Sequence, residues 1–486
     1  MIMKNISKKI AACLIFLTAL SCSKGNSGGS PVTPPVVVPP TTTPVSSDVA
    51  FWLTTGDQSA KLLKQNVALN FSTTINSDPV IDVNESQTYQ TIDGFGYTLT
   101  GGSASLINAL STAEKDNLLK ELFSNEDYAI GVNYLRISIG ASDLSSDTFT
   151  YNDLPGGTTD IPQDKFSIDK EMTDMVPILK KIVALNPSIK ILGSPWTAPL
   201  WMKDKNSFKG GSLKSEYYQS YATYFVKYIQ AMKAQGITID AITVQNEPLN
   251  PDNTPSMYMD AAAQTVFIKS ALGPAFKAAG LTTKIITYDH NADRPDYPLT
   301  ILSDATARDF VDGSAFHLYG GTIGALTPVH DAYPTKNIYF TEQWVGGPGN
   351  FAEDLKWHVS NLIIGATRNW SKNVLEWNLA ADPSYGPHTV GGCTTCLGAL
   401  TINPGVVRNV AYYTVGHASK FVKAGSVRIA SNVINNLNNV AFKTPDGKKV
   451  LIVVNNNTAT QFFNIRIGGK SVNTSLTAGA VGTYVW

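Results

Sequence analysis

The stretch DAITVQNEPLN, residues 240–250, reads as a buried strand that ends on a carboxylate. Ala241 to Val244 are strand-forming residues. Gln245, Asn246 and Glu247 follow, and Pro248 closes the run because it has no N–H for a ladder and biases Glu247 away from helix. Such a glutamate is either a solvated turn residue or part of a site shared by several strand ends. The other strands decide between the two. Similar runs are IDGFGYTL near Asp93, NYLRISIG near Arg136, IKILGSPW near Leu192, KIITYDHN near Thr287, GSAFHLYG near Phe316, NIYFTEQW near Phe340 and VLEWNLA near Trp377. Between most of them lie stretches of helical periodicity, such as Lys214 to Gln235, whose Tyr217, Tyr221, Tyr224, Phe225 and Tyr228 fit helix packing. Eight strand runs alternating with helices predict an α/β fold, a (β/α)₈ TIM barrel, with functional residues at the C-terminal ends of the strands.

Each run ends on polar or aromatic residues. Asp143 lies just past the second, Trp196 ends the third, Asn246 and Glu247 the fourth, and His290 the fifth. His317 and Tyr319 end the sixth, Glu342 and Trp344 the seventh, Trp377 and Asn378 the eighth. The set converges on one rim, which favours a site over a solvated turn. Two glutamates there suit hydrolysis of a glycosidic bond, which needs a proton donor for the leaving oxygen and a second carboxylate at the anomeric carbon. One must be neutral while the other is ionised, and burial, like charges, cations and hydrogen-bond donors produce that split. Arg136, inside the second strand, would favour the ionised form of Glu342, and Tyr319 could donate to it; the alternative for Arg136 is a salt bridge at the barrel bottom. Trp196, Trp344 and Trp377 offer faces for the apolar C–H surfaces of a sugar, the alternative being core packing.

Outside the barrel, the segment from Ala50 to about Gln90 and the segment after about Gly416 consist of short alternating strands between Asn, Gly and Asp turns. The two chain ends are expected to build one side β-sandwich, from residues 48–90 and 416–486, flanking a barrel of residues 91–415. Residues 1–22 read as a secretory signal: Lys4, Lys8 and Lys9 precede the apolar run Ile10 to Leu20, too short to span a bilayer. The run ends in ALSCS, similar to a bacterial lipoprotein cleavage site, with Cys22 as the lipid-carrying residue. Residues 23–47 are mostly Ser, Gly, Pro, Thr and Val, a spacer that cannot bury a core. Export to the outer membrane, with a lipid anchor as the sole membrane contact, is therefore expected. Cys393 and Cys396 in GGCTTC lack the second ligand pair of a structural zinc site, and in an exported protein a local disulfide is the favoured reading over metal or redox catalysis.

Of the 486 residues, 38 are Lys or Arg and 38 Asp or Glu, a balance that gives no reason to expect nucleic acid and suits a neutral substrate. No cofactor or metal ion is expected, and a monomer is. The motifs IDGFGYTLTGGSA, LRISIGASD, GSPWTAPLWMK, VQNEP, FTEQW, EWNLAADPSYGPH and VGHASKFVKAGSVRI together resemble glycoside hydrolase family 30, the glucosylceramidase-like group, across residues 50 to 486. The resemblance implies a retaining enzyme with Glu247 as acid/base and Glu342 as nucleophile. It also implies that Asn246 contacts the sugar 2-hydroxyl and that Asp143, Trp196, Tyr319 and Trp377 line the non-reducing-side subsite. WLTTGDQSAKLL and GPHTVGGCTTC look like the microbial branch that cleaves β-1,6-glucan, so a β-glucan polysaccharide or oligosaccharide is the expected partner. The alternatives are a glucosylceramidase or exo-acting β-glucosidase, a xylanase, and a carbohydrate-binding surface protein without turnover.

Overall fold

Eight parallel strands close on themselves in sequence order. They are Gly94–Leu99, Tyr134–Ile139, Lys190–Pro195, Ala241–Thr243, Lys284–Ala292, Val311–Gly321, Asn337–Glu342 and Ser371–Asn378, and the last pairs with the first. The computed structural model describes residues 45–403 and 405–486. The expected signal, Cys22 and the spacer up to residue 44 lie outside the described residues. All eight predicted strand runs are present, and no described helix is long and apolar enough to cross a membrane.

Side chains alternate along a strand with period two, and the barrel interior shows it in layers. Tyr134, Leu192, Ala241, Ile286, Ala315, Tyr339 and Leu375, one from each of seven strands, form a single apolar cluster. Gly96 of the first strand sits between Leu375 and Tyr134, where a Cβ would meet the Tyr134 carbonyl oxygen at 1.8 Å. Two residues further along their strands stand Thr98, Arg136, Ser194, Thr243, His317, Thr341 and Trp377, all buried. The apolar layer thus seals the barrel below, and a polar layer lies directly under the rim.

Helices cover the outside. Thr112–Phe123 begins with a capping box, Ser111 accepting from the Glu114 N–H while the Glu114 carboxylate accepts from the Ser111 N–H. In Tyr218–Ala234 the residues Tyr221, Tyr224, Phe225 and Tyr228 are buried, Tyr221 and Phe225 against Phe267 and Tyr224 and Tyr228 against Tyr151. They pack the barrel, as expected. The last barrel helix, Val410–Ser419, runs past Gly416, so the next strand begins only at Val427.

The side sandwich joins both chain ends. Ala50–Thr54 pairs antiparallel with Val481–Val485, while the long strand Val80–Thr91 pairs with Val427–Ser431 along one part and with Gln461–Ile467 along another. Its own core includes Phe51, Ile81, Leu451, Phe463 and Tyr484. Val45 and Ser47, at the end of the expected spacer, already bond to residues 66 and 69 of this layer.

His417 ties barrel to sandwich, its Nδ1 2.8 Å from the Thr483 hydroxyl and its Nε2 2.8 Å from the Thr54 hydroxyl. Burial lowers its pKa from 6.5 to about 3. Between those values the unfolded chain binds a proton that the folded one does not, so the His417 contribution is present above pH 6.5 and is lost as pH falls towards about 3. The loss of melting temperature between pH 7 and pH 4 should therefore be smaller in His417→Gln than in the wild type; equal losses would show that His417 does not couple stability to pH.

Candidate active site

A cleft of about 500 Å³ opens at the C-terminal ends of the strands, lined by Asp143, Trp196, Asn246, Glu247, His290, Tyr319, Glu342, Trp344 and Trp377 among others. Of the expected site residues, His317 and Arg136 lie beneath these. The fourth strand ends early, at Thr243, and the chain reaches Glu247 with φ +43°, in the left-handed region disfavoured for a side-chain-bearing residue. Backbone bonds hold it there: Glu247 N–H donates to the Asp289 carbonyl at 2.9 Å, and Asn250 N–H donates back to the Glu247 carbonyl at 2.8 Å across the Glu-Pro-Leu-Asn turn.

Carboxylate oxygens of Glu247 and Glu342 and an imidazole nitrogen of His317 all lie within 4.8 Å of one another. The two glutamates have different donors. Glu342 accepts from Arg136 Nη1 at 2.6 Å and from the Tyr319 hydroxyl at 2.9 Å. Glu247 faces His317 Nδ1 at 3.2 Å through one oxygen and accepts from the Asn250 amide at 2.8 Å through the other. Both Glu342 oxygens are thus already engaged, and the trio reads as a proton-transfer cluster rather than a cation cage.

Beneath the pair, Asp289 is the hub. Its Oδ2 accepts from Arg136 at 2.9 Å, Thr243 at 2.7 Å and Ser194 at 3.1 Å, and its Oδ1 meets Thr341 at 2.6 Å and His317 Nε2 at 3.1 Å. Burial alone would push this carboxyl up; Arg136, His317 and Thr341 hold it well below the usual carboxylate range. Arg136 also donates to Asn246 Oδ1 at 2.5 Å, which leaves the Asn246 Nδ2 as the group free to face the cleft.

Each ring nitrogen of His317 faces a carboxylate, and both can donate only if the ring is protonated. Against the cost of burial, Glu342, Asp289 and Glu247 raise it to about 9. Burial pushes Glu247 up, but the His317 hydrogen bond and charge, with His290 and Asn250, bring it down to about 2. Burial raises Glu342, opposed by His317 and Arg136 and assisted by Glu247 and Asp289. The split therefore runs opposite to a neutral Glu247 beside an ionised Glu342: His317 and Glu342 are raised and Glu247 is lowered. Glu247 and His317 share that proton, and the titration belongs to the pair.

The aromatic walls divide. Trp196 and Trp377 are nearly fully buried, tilted against each other at 5.5 Å and laid over the Arg136 guanidinium at 4.8 and 5.7 Å, whereas Trp344 and Tyr319 are more open. Two buried polar atoms on this wall, Asp143 Oδ1 and Trp196 Nε1, have no hydrogen-bond partner among the described residues, an acceptor and a donor for a ligand hydroxyl. Burial, with Glu342 and Glu247 nearby, raises Asp143 to about 7. His290 Nε2 stands 4.0 Å from Glu247, and burial lowers its pKa.

Sequence reasoning missed Asp289, Asn250 and the hydroxyls of Ser194, Thr243 and Thr341. It favoured a disulfide between Cys393 and Cys396, which is present with a Cα–Cα distance of 5.8 Å, but not its place in the cleft wall.

Comparison with known proteins gives a consistent picture. The Glycosyl hydrolase family 30 TIM-barrel domain matches residues 92–422, and the family 30 beta sandwich domain matches residues 425–484. The chain is 36% identical over 399 residues to an endo-1,6-β-D-glucanase of Trichoderma harzianum, covering 77% of this chain and 79% of that one. It is likewise 36% identical over 405 residues to an endo-1,6-β-D-glucanase of Aspergillus fumigatus, covering 77% and 80%. The solved structure of an endo-β1,6-glucanase superposes with a TM-score of 0.84 at 39% identity, covering 91% of this chain and 99% of that one.

Proposed function

This chain belongs to glycosyl hydrolase family 30, and we propose that within the family it is a retaining endo-β-1,6-glucanase working by double displacement. It is a glycoside hydrolase of the two-glutamate type. The observation that carries the double-displacement reading is the approach of the Glu247 and Glu342 oxygens to within 4.8 Å, each with its own donors. Retaining enzymes hold their carboxyl groups about 5 to 5.5 Å apart, and inverting ones leave about 6.5 to 9.5 Å for a water.

Glu342, aimed by Arg136 and Tyr319, attacks the anomeric carbon. Glu247 takes the proton held on His317 at 3.2 Å and delivers it to the leaving oxygen, then as a carboxylate activates water against the glycosyl-enzyme. Asn246 Nδ2 meets the 2-hydroxyl, while Asp143 and Trp196 supply the unpartnered acceptor and donor for other hydroxyls of the same sugar. The cleft continues past Glu247 along Leu249 to Asn253 and Asn291, room for a sugar on the leaving side; support for an internal cut comes from the likeness to the endo-1,6-β-glucanases.

Product profiling on β-1,6-, β-1,3- and β-1,4-glucans, xylan and glucosylceramide tests this reading. Early release of short β-1,6 oligosaccharides is expected; glucose as the sole early product, or turnover of xylan or glucosylceramide alone, would overturn it. Export fits a polysaccharide substrate. The lipoprotein-like ALSCS gives Cys22 as the lipid attachment point, so Cys22→Ser should release soluble, active enzyme; a variant that stays on the membrane to the same extent removes the anchor from the reading.

A further inference from the structure

The Cys393–Cys396 bridge has no part in the chemistry just described, yet both residues line the cleft. They belong to the loop that follows the eighth strand, and that loop touches three other parts of the rim. Thr389 N–H donates to the Asp143 carbonyl at 2.8 Å, and the Thr389 hydroxyl donates to the Thr254 carbonyl at 2.5 Å. On its far side Cys396 pairs with Gly346, two residues past Trp344, and Gly347 N–H donates to the Thr395 carbonyl at 2.7 Å. Between these anchors, Cys393 N–H donates to Asp143 Oδ2 at 3.3 Å. The loop can lie this close because residue 392 is glycine: a Cβ there would meet the Asp143 carbonyl oxygen at 2.4 Å.

Cys396 is buried with Leu144, Trp196 and Trp377, whereas Cys393 is half-buried and Thr394 and Thr395 are exposed. The bridge therefore ties a half-buried residue, whose N–H orients the Asp143 carboxylate, to one packed in the tryptophan wall. A four-residue ring restricts the loop tip on its own, without depending on the surrounding contacts.

We propose that Cys393 and Cys396 are positioning residues of the sugar cleft: their disulfide holds Asp143 against the Trp196–Trp377 wall, so that the cleft is complete only in the oxidised protein. This rests on Asp143 being a sugar-binding residue. The bond carries no electrons in turnover. Its effect is on binding, and it belongs in KM rather than kcat.

The test uses the intact, folded protein. Dithiothreitol reduces the bridge, each cysteine gaining a hydrogen as the reagent closes to its cyclic disulfide, and two newly titratable thiols report completion. With an aryl β-glucoside and with β-1,6-glucan as substrates, KM is expected to rise by up to about tenfold, the size of losing one hydrogen bond, while kcat moves less. Reoxidation should restore the original KM. In Asp143→Ala, reduction should add less than about twofold, because a bridge that acts through Asp143 has nothing left to position. Cys393→Ser/Cys396→Ser should match the reduced wild type and ignore dithiothreitol, and if it fails to fold, the reduction of intact protein still decides. Two thiols with an unchanged KM, or an equal rise in Asp143→Ala, would overturn the inference. Failure of the oxidised enzyme to cleave β-1,6-glucan while it turns over the aryl glucoside refutes the substrate, and leaves the KM comparison on the aryl glucoside as the measure of the bridge.

Discussion

Glu342→Ala should abolish turnover of natural and activated substrates alike, by about 10⁴-fold or more, since removing a covalent nucleophile leaves only binding and transition-state electrostatics. The fold should survive. Arg136 loses one carboxylate but keeps Asp289 at 2.9 Å and Asn246 at 2.5 Å, so no buried cation is stranded. The space left faces the anomeric carbon from the side opposite the leaving group, and azide placed there should restore slow turnover of an activated aryl β-glucoside with an α-glucosyl azide as product. Nuclear magnetic resonance of the product reads the configuration directly. A β-configured azide, or appreciable activity of this variant on the aryl glucoside, would mean that Glu342 is not the nucleophile.

The same site shows what a sequence can and cannot carry. Strands of the barrel are legible because each is a short apolar run closed by Pro, Gly or a polar cluster, and their eightfold recurrence leaves one closed architecture. The rim followed from position alone, since strand ends must meet once the barrel closes. Asp289 did not follow. Alternation from the inward Ile286 points to Tyr288, but Tyr288 and Asp289 both have positive φ, of 73° and 71°, and the register to the sixth strand shifts between Tyr288 and His290. Gln264 accepts from both Thr287 and the Tyr288 N–H on the outer side, and the bulge turns Asp289 inward instead. Bulges are set by such distant partners and leave little local trace.

Ser194, Thr243 and Thr341 were hidden differently. Hydroxyl residues are common in strands, and the signal that could have found them is their shared place two residues beyond the interior apolar positions Leu192, Ala241 and Tyr339. The helix Val410–Ser419 was obscured by burial on every side: all ten residues are buried between barrel and sandwich, so no amphipathic period marks it, and Gly416 looked like a boundary. The protonation of the pair was equally out of reach, because it depends on His317 lying between Asp289 and Glu247, side chains brought together from three strand ends.

Glu247→Ala should separate the two steps of the reaction. A general acid contributes about 10²- to 10⁴-fold, and least where the leaving group needs no proton, so β-1,6-glucan should lose that much while the first step on an activated aryl β-glucoside is largely kept. Water activation is lost as well, so the glycosyl-enzyme should accumulate and the aryl substrate should show a burst, with kcat and KM falling together. Azide needs no general base and should relieve the block, leaving as the β-glucosyl azide because it attacks from the face the leaving group vacated. The pH profile supplies a second reading. The wild-type pair must hold one proton for the first step, and the carrier, His317, is raised to about 9, so kcat/KM on glucan should fall as pH rises through that region. With Glu247 gone the aryl substrate needs no proton from the pair, and that basic limb should disappear. On the acid side both proteins should lose activity as Glu342, raised above its ordinary value by burial, becomes protonated and can no longer attack. An α-configured azide from Glu247→Ala, or a basic limb that persists unchanged on the aryl substrate, would show that Glu247 is not the acid/base and that His317 does not supply its proton.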